Sequence, residues 1–295
     1  MSRPARPTLR SALDAERPLV TPLAHDALSA RLIAAAGFRA FAIGGSAMLA
    51  ARFGLPDIGL AALGEMVDGI RDIAAATPLP FLADGDDGYG DAKSVARTVA
   101  AYEALGVGGI LIEDQVRTGK QQRAERARAV CDVETIVQKL RCALAARGDP
   151  ETMIIGRTDA FGVSGLDEAL RRAERFLAVG ADAVFVAGLK SMDDYARVGE
   201  ALNGAILSAA LFEAADMPWP APQELAALGF RHVSYPASLI FRVTLSLRNT
   251  LRALREHAEG RVAMQPDAHA LDARKALDAA LELPRWQDIE RQFGS

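Results

Sequence analysis

Residues 82–90, LADGDDGYG, place the carboxylates of Asp84, Asp86 and Asp87 where the apolar run ATPLPFLA gives way to a glycine-broken turn. Acids this close repel one another and lose hydration unless a cation lies among them. Hard oxygen donors suit Mg²⁺, with Mn²⁺ as the alternative. Taken by itself, the segment also reads as an acidic, solvated turn. It has company, because polar residues end other apolar runs as well: His25-Asp26, Gly44-Gly45-Ser46, Glu113-Asp114, Arg157 with Asp159, and Glu213. Glu113, directly after GGILI, suits the metal, bound directly or through water; the ordinary alternative is a salt-bridging acid. Arg157 offers a planar fork of donors for a substrate carboxylate, or an ion pair with Asp159. The Gly45, Ser46 and Ala47 turn presents unhindered N–H groups and a hydroxyl, suited to a carboxylate or a developing oxyanion. His25 reads equally as a proton carrier or as a hydrogen-bonded structural residue.

These residues need a scaffold that brings strand ends together. Eight β-rich runs recur, namely PLVTPLA, FRAFAIGGS, LPFLADGD, GGILIEDQ, TMIIGRTD, ADAVFVAG, GAILSAALFE and FRHVSYPA, and amphipathic alanine-rich segments lie between them. Gly37, Gly106 and Gly180 stand where helices should end before the next strand. The alternation predicts a (β/α)₈ TIM-type barrel with additional C-terminal helices, a doubly wound open sheet being the alternative. In such a barrel the carboxyl ends of the strands carry function. We expect residues 1–258 to form the barrel with an N-terminal extension, and 259–295 a helical arm, part of the same domain or exchanged between subunits.

Composition narrows the partners. The chain has 295 residues, half of them apolar, and a formal net charge of −4, which gives no electrostatic footprint for nucleic acid. No apolar run reaches the length needed to span a bilayer, and residues 1–18 lack the apolar core of a secretory signal, so a cytoplasmic location is expected. Cys131 and Cys142 have no metal-like spacing and read as reduced packing residues.

The segments DALSARLIAAAGF, GGSA, GLPDIGL, LADGDDGYGDA, IEDQV, GRTDAF with GLDEALRRA, and GADAVFV resemble, in order, the phosphoenolpyruvate mutase/isocitrate lyase superfamily. The likeness runs from about Asp26 to Val186 and continues more weakly through PW at 218–219 and YP at 235–236. It implies a Mg²⁺-dependent barrel enzyme, assembled as a homotetramer, that binds a small 2-oxo or 2-hydroxy acid and works through an enolate-like intermediate. On that resemblance Asp84 is the direct metal ligand, with Asp86 and Glu113 holding metal-bound waters or the ion, and Asp57 in GLPD supports the metal network. Arg157 would bind the substrate carboxylate, the Gly45, Ser46 and Ala47 turn its other end, and Glu213 is retained on the seventh strand.

One loop departs. After EDQV the C–C lyases of the superfamily read K-R-C-G-H, whereas this chain reads RTGKQQR, with Gln121 at the cysteine position, Lys120 one place from the expected lysine, and Arg123 for the histidine. Ala210 stands where these lyases often carry asparagine. The P-K-x-N-S pattern of phosphonopyruvate-handling members is also missing. A lyase without its cysteine loses the usual proton donor, and general acid–base catalysis is worth about two to four orders of magnitude. Decarboxylation needs less, which makes an oxaloacetate decarboxylase-like reaction the first expectation. A 2-methylisocitrate/dimethylmalate-type lyase using Lys120 or Thr118, a phosphonopyruvate-type P–C enzyme, and a non-catalytic carboxylate-binding protein are the alternatives. Residues 115–130, with Arg117, Lys120, Arg123, Arg126 and Arg128, read as a lid attracting a di-anionic acid or as a solvated basic face.

Overall fold

The computed structural model describes residues 7–120, 129–214 and 216–294. All eight β-rich runs form strands: β1 (Leu19–Pro22), β2 (Phe41–Ile43), β3 (Phe81–Asp84), β4 (Gly109–Glu113), β5 (Met153–Thr158), β6 (Ala183–Val186), β7 (Leu207–Ala210) and β8 (Phe230–Tyr235). They pair in parallel in the order β1-β8-β7-β6-β5-β4-β3-β2. The ring closes through a parallel bridge between Leu23 and Ala42, with the Ala24 N–H donating to the Ala42 carbonyl at 2.9 Å. The fold is therefore a (β/α)₈ barrel and not an open sheet.

The helices are α1 (Leu9–Ala15), α2 (Ala27–Ala35), α3 (Gly45–Phe53), α4 (Leu63–Ala74), α5 (Ala92–Glu103), α6 (Val133–Ala146), α7 (Ala160–Ser164) and α8 (Leu166–Ala178). After them come α9 (Met192–Ala201), α10 (Pro222–Ala227), α11 (Ser238–Ala258), α12 (Ala270–Ala280) and α13 (Leu283–Phe293). Gly37, Gly106 and Gly180 have φ of +86°, +79° and +100°, the left-handed backbone that stops a helix without a Cβ clash.

Strand alternation produces two cores. Phe41, Ile43, Ile110, Ile112, Ile154, Val184 and Val233 face the helical layer, while Leu19, Ala42, Leu82, Met153, Ile155 and Ala183 fill the barrel interior. Helix α1 joins the interior set through Leu9, Ala12 and Leu13, so it plugs the amino-terminal end of the barrel. Gly109 makes room for it: a Cβ there would lie 2.7 Å from Leu9 Cδ2. The N-terminal extension of the sequence reading thus belongs to the core.

Beyond β8, α11 has no buried residue and exposes Phe241, Leu245, Leu247, Leu251 and Leu254. The following arm returns to the barrel of its own chain, where Arg31 of α2 donates from Nη1 to the Ala280 carbonyl at 3.0 Å and to Glu282 Oε2 at 3.1 Å. No helix among the described residues is long and apolar enough to cross a membrane.

Asp114 ties the functional side of the barrel together. Its fully buried carboxylate accepts from Thr158 Oγ1 at 2.7 Å, the Asp159 N–H at 2.9 Å and Arg172 Nη1 at 3.1 Å, joining β4, β5 and α8. Removing one partner of such a pair leaves an uncompensated charge in a dry place. We expect Arg172→Leu to cost about 3 kcal/mol of stability in urea unfolding. A change under about 0.5 kcal/mol would show that Thr158 and the backbone alone satisfy Asp114.

Candidate active site

The acidic turn is built by backbone constraint. Chain direction reverses after Asp84 through Gly85, where a Cβ would meet the Leu111 carbonyl at 2.7 Å, and through Asp86, which adopts φ +48°. That left-handed backbone is costly for a residue with a Cβ, and local hydrogen bonds hold it. The Asp86 N–H donates to Asp84 Oδ1 at 3.0 Å, and the Glu113 N–H to the Asp86 carbonyl at 2.8 Å. Tyr102 of α5 donates its hydroxyl to the Asp84 carbonyl at 2.9 Å. Asp87 leaves the group and accepts from Lys139 Nζ of α6 at 3.0 Å.

In place of Asp87 comes Asp57, from the loop after α3. One carboxylate oxygen from each of Asp57, Asp84 and Asp86 lies within 4.8 Å of the others. Gly45 permits this approach, because a Cβ there would sit 2.9 Å from Asp57 Oδ2. Glu113, a metal candidate from sequence, stands outside the trio. It is 1% exposed, with Oε1 3.3 Å from Lys120 Nζ and Oε2 3.0 Å from Arg157 Nη1. Two cations have captured it. Lys120 Nζ also hydrogen-bonds Asp86 and lies 3.3 Å from Asp57 Oδ1, so an ammonium sits directly among these acids.

Burial governs the electrostatics. It pushes Glu113 up to about 8, against the pull of Arg157 and Lys120. Burial likewise lifts Asp86 to about 6; Lys120 opposes the rise and Asp84 and Asp57 add to it. Burial works against the Lys120 ammonium, yet Glu113, Asp86, Asp84 and Asp57 together hold it well above the usual lysine value. Three hard oxygen donors around a position that already attracts a cation fit a divalent ion such as Mg²⁺.

Arg157, on β5, realises both of its readings in part. It donates from Nε to Asp159 Oδ2 at 3.0 Å and from Nη2 to Asp159 Oδ1 at 2.9 Å, yet it also lines the cleft above the barrel. Asp159 therefore fixes the plane of the guanidinium. Across the cleft, the GGSA segment is not a turn: Gly44 is the N-cap of α3 without a side-chain cap, and Gly45 and Ser46 of its first turn line the cleft. The open N–H groups of a helix start favour an anion. Ala47 is buried and does not line the cleft.

Other expected residues fall elsewhere. Glu213 accepts both contacts of Arg242 Nη1, at 2.5 and 2.8 Å, and does not line the cleft, as its place after β7 had suggested. His25 is buried beside α2 and α11, away from the cleft. Gln121, Arg123, Arg126 and Arg128, and with them most of the basic segment read as a lid or a solvated face, lie outside the described residues. Sequence reasoning missed the cleft floor, where His232 binds Thr21 Oγ1 through Nε2 at 2.7 Å and Ser208 Oγ through Nδ1 at 2.6 Å. The alternation of His232 and Ser234 along one face of β8 was the available signal.

A barrel with an acidic cation-binding rim, an arginine fork and an open helix start around one cleft defines an enzyme for small anionic substrates. The chain matches the phosphoenolpyruvate phosphomutase family over residues 9–255. It is 35% identical to 2,3-dimethylmalate lyase of Eubacterium barkeri over 247 residues, covering 84% of this chain and 85% of the relative. Identity to oxaloacetate decarboxylase of Bradyrhizobium diazoefficiens is 35% over 256 residues, 87% of each chain. Among solved structures, oxaloacetate acetylhydrolase in complex with 3,3-difluorooxalacetate superposes with a TM-score of 0.87 at 28% identity, over 98% of this chain and 96% of that one. The chain belongs to the phosphoenolpyruvate mutase/isocitrate lyase superfamily and is a lyase of it.

Proton and cation compete for these acids. Because burial raises Asp86 to about 6, the carboxylate is charged above that pH and takes up a proton below it. Mg²⁺ affinity measured by calorimetry is expected to fall about tenfold from pH 7 to pH 5 as one proton comes to occupy the site. An affinity independent of pH over that range would remove Asp86 from the cation's ligands.

Proposed function

We propose that this protein cleaves a carbon–carbon bond of a small 2-oxo or 2-hydroxy acid with Mg²⁺, and that its reaction is decarboxylation of a 2-oxo diacid such as oxaloacetate. The observation that carries this reading is the convergence of Asp57, Asp84, Arg157 and the start of α3 on one cleft, with Asp86 grouped behind Asp57 and Asp84. Asp57, Asp84 and Asp86 would hold the ion, with Mn²⁺ as the alternative. The bound ion supplies Lewis-acid polarisation of the 2-oxo group and favours the enolate charge left when the bond breaks.

The chain's own residues do the rest. Arg157, its plane set by Asp159, grips the carboxylate next to the substrate's 2-oxo group with its remaining N–H groups. The N–H groups at Gly45 and Ser46, with the Ser46 hydroxyl, receive negative charge on the opposite side. Glu113 orients Arg157 and Lys120 by contacting both. Lys120 contributes a fixed positive charge beside the acids. As CO₂ departs, the electron pair of the broken bond becomes the C=C of an enolate while the carbonyl pair moves to the 2-oxo oxygen; the enolate then takes a proton on carbon from water, so no cysteine is needed as donor.

Turnover with Mg²⁺ of oxaloacetate, 2-methylisocitrate, 2,3-dimethylmalate and phosphonopyruvate tests this reading. CO₂ release from oxaloacetate is expected. Cleavage of 2,3-dimethylmalate or 2-methylisocitrate alone would move the protein to the aldol-type lyases. No turnover alongside tight Mg²⁺ and oxalate binding would make it a binding protein. Within the reading, Arg157→Lys should lower kcat/KM by roughly thirtyfold, about 2 kcal/mol, because an ammonium cannot copy the fork. Unchanged kinetics would leave Arg157 a partner of Asp159 only.

The exposed apolar face of α11 supports an assembled state, and we extend the proposal to a homotetramer with residues 259–295 packed between subunits. Light scattering should show a tetramer, and truncation before Gln265 should yield smaller, aggregation-prone species. A monodisperse full-length monomer would refute it.

A further inference from the structure

We propose that the side of the cleft formed by β1, β6, β7 and β8 is a dry wall for the part of the substrate that departs as an uncharged fragment, so that this site disfavours a second carboxylate in the bound state. The inference rests on the preceding reading, in which the carboxylate and 2-oxo end of the substrate lies toward Arg157 and the acidic trio.

Charge divides the cleft by strand. Asp57, Asp84, Lys120 and Arg157 line one half. The other half presents Leu23, Phe185, Ala210, Phe212 and Pro236, and among the described residues it carries no charged side chain. Phe185 marks the boundary, with its ring centroid 5.6 Å from the Arg157 guanidinium carbon. Glu213, one step past Phe212, is paired with Arg242 of α11 and neither lines the cleft.

Polar groups lie deeper and are occupied. Both ring nitrogens of His232 are engaged, by Thr21 and by Ser208, and burial pulls its pKa down to about 4, so it stays neutral. Ser234 directs its hydroxyl to the Ala209 carbonyl at 3.2 Å. A carboxylate laid against this surface loses hydration and gains no counter-charge from the described residues, which is costly. CO₂ or an alkyl group loses nothing there. The wall therefore holds the ionised substituent less well than the neutral fragment it becomes, and binding free energy favours the broken bond over the intact one.

Calorimetry on the full-length protein with saturating Mg²⁺ tests this with three unreactive probes. Oxalate reports the head-group site. Malate and 2-hydroxy-4-methylpentanoate differ only in a carboxylate replaced by an isopropyl group. Titrated separately into protein shown to bind oxalate, the isopropyl acid is expected to bind at least about tenfold more tightly than malate. In Phe212→Arg the order should invert, because a guanidinium on the wall gives the second carboxylate a partner. If that variant fails to fold, Ala210→Asn should narrow the ratio, and the wild-type comparison stands alone in either case. Malate binding as tightly as its isopropyl counterpart while oxalate binds overturns the wall and spares the head-group reading. Failure of oxalate to bind overturns both.

Discussion

Carboxylates crowded at one rim cannot stay buried and ionised without cations among them, and most of this molecule's functional side follows from that constraint. Asp57, Asp86, Glu113, Asp114 and Asp159 are all buried, and Asp84 is half-buried. Arg172 serves Asp114, Arg157 bridges Glu113 and Asp159, and Lys120 sits between Asp57, Asp86 and Glu113. Desolvation still outweighs part of this compensation, as the raised values of Asp86 and Glu113 show. A rim left in electrostatic debt is poised for a further positive charge. Such a rim contributes little to stability for its own sake, and its chemistry explains its presence.

The barrel was legible because its signals are local and repeated. Each strand is a short apolar run, several barrel helices, α2, α5 and α8 among them, stop at a glycine with positive φ, and the eight units follow one another without a break. Asp84 was legible for the same reason, as the residue ending β3. Residues that reach the site from loops were harder to place. Asp57 and Asp87 look alike in sequence, yet Asp87 is drawn off by Lys139 on α6, while Asp57 is admitted by the missing side chain at Gly45. Glu113 was assigned by its place at a strand end, and its capture by Arg157 and Lys120 depends on groups 44 and 7 positions away in the chain, a tertiary outcome that no spacing rule encodes.

The GGSA segment shows a different failure. Adjacent glycines suggested a turn, but Gly44 takes an extended cap conformation and Gly45 enters the helix. Small residues were selected by proximity to Asp57 and Leu23, and not by a need for left-handed backbone. His232 is hard to place from sequence, because a single histidine on an apolar strand resembles packing. Its partners, Thr21 and Ser208, come from strands on either side, so only the closed barrel brings them together.

The α1 plug decides how matter moves through this molecule. Leu9 and Leu13, set against Leu19, Leu82 and Met153, seal the amino-terminal end of the barrel with interlocked hydrocarbon. Among the described residues the cleft is consequently closed at its amino-terminal end and faces outward on the loop side. Whatever binds first and deepest has to leave last, so traffic through the site is ordered by architecture before any residue contributes to selection.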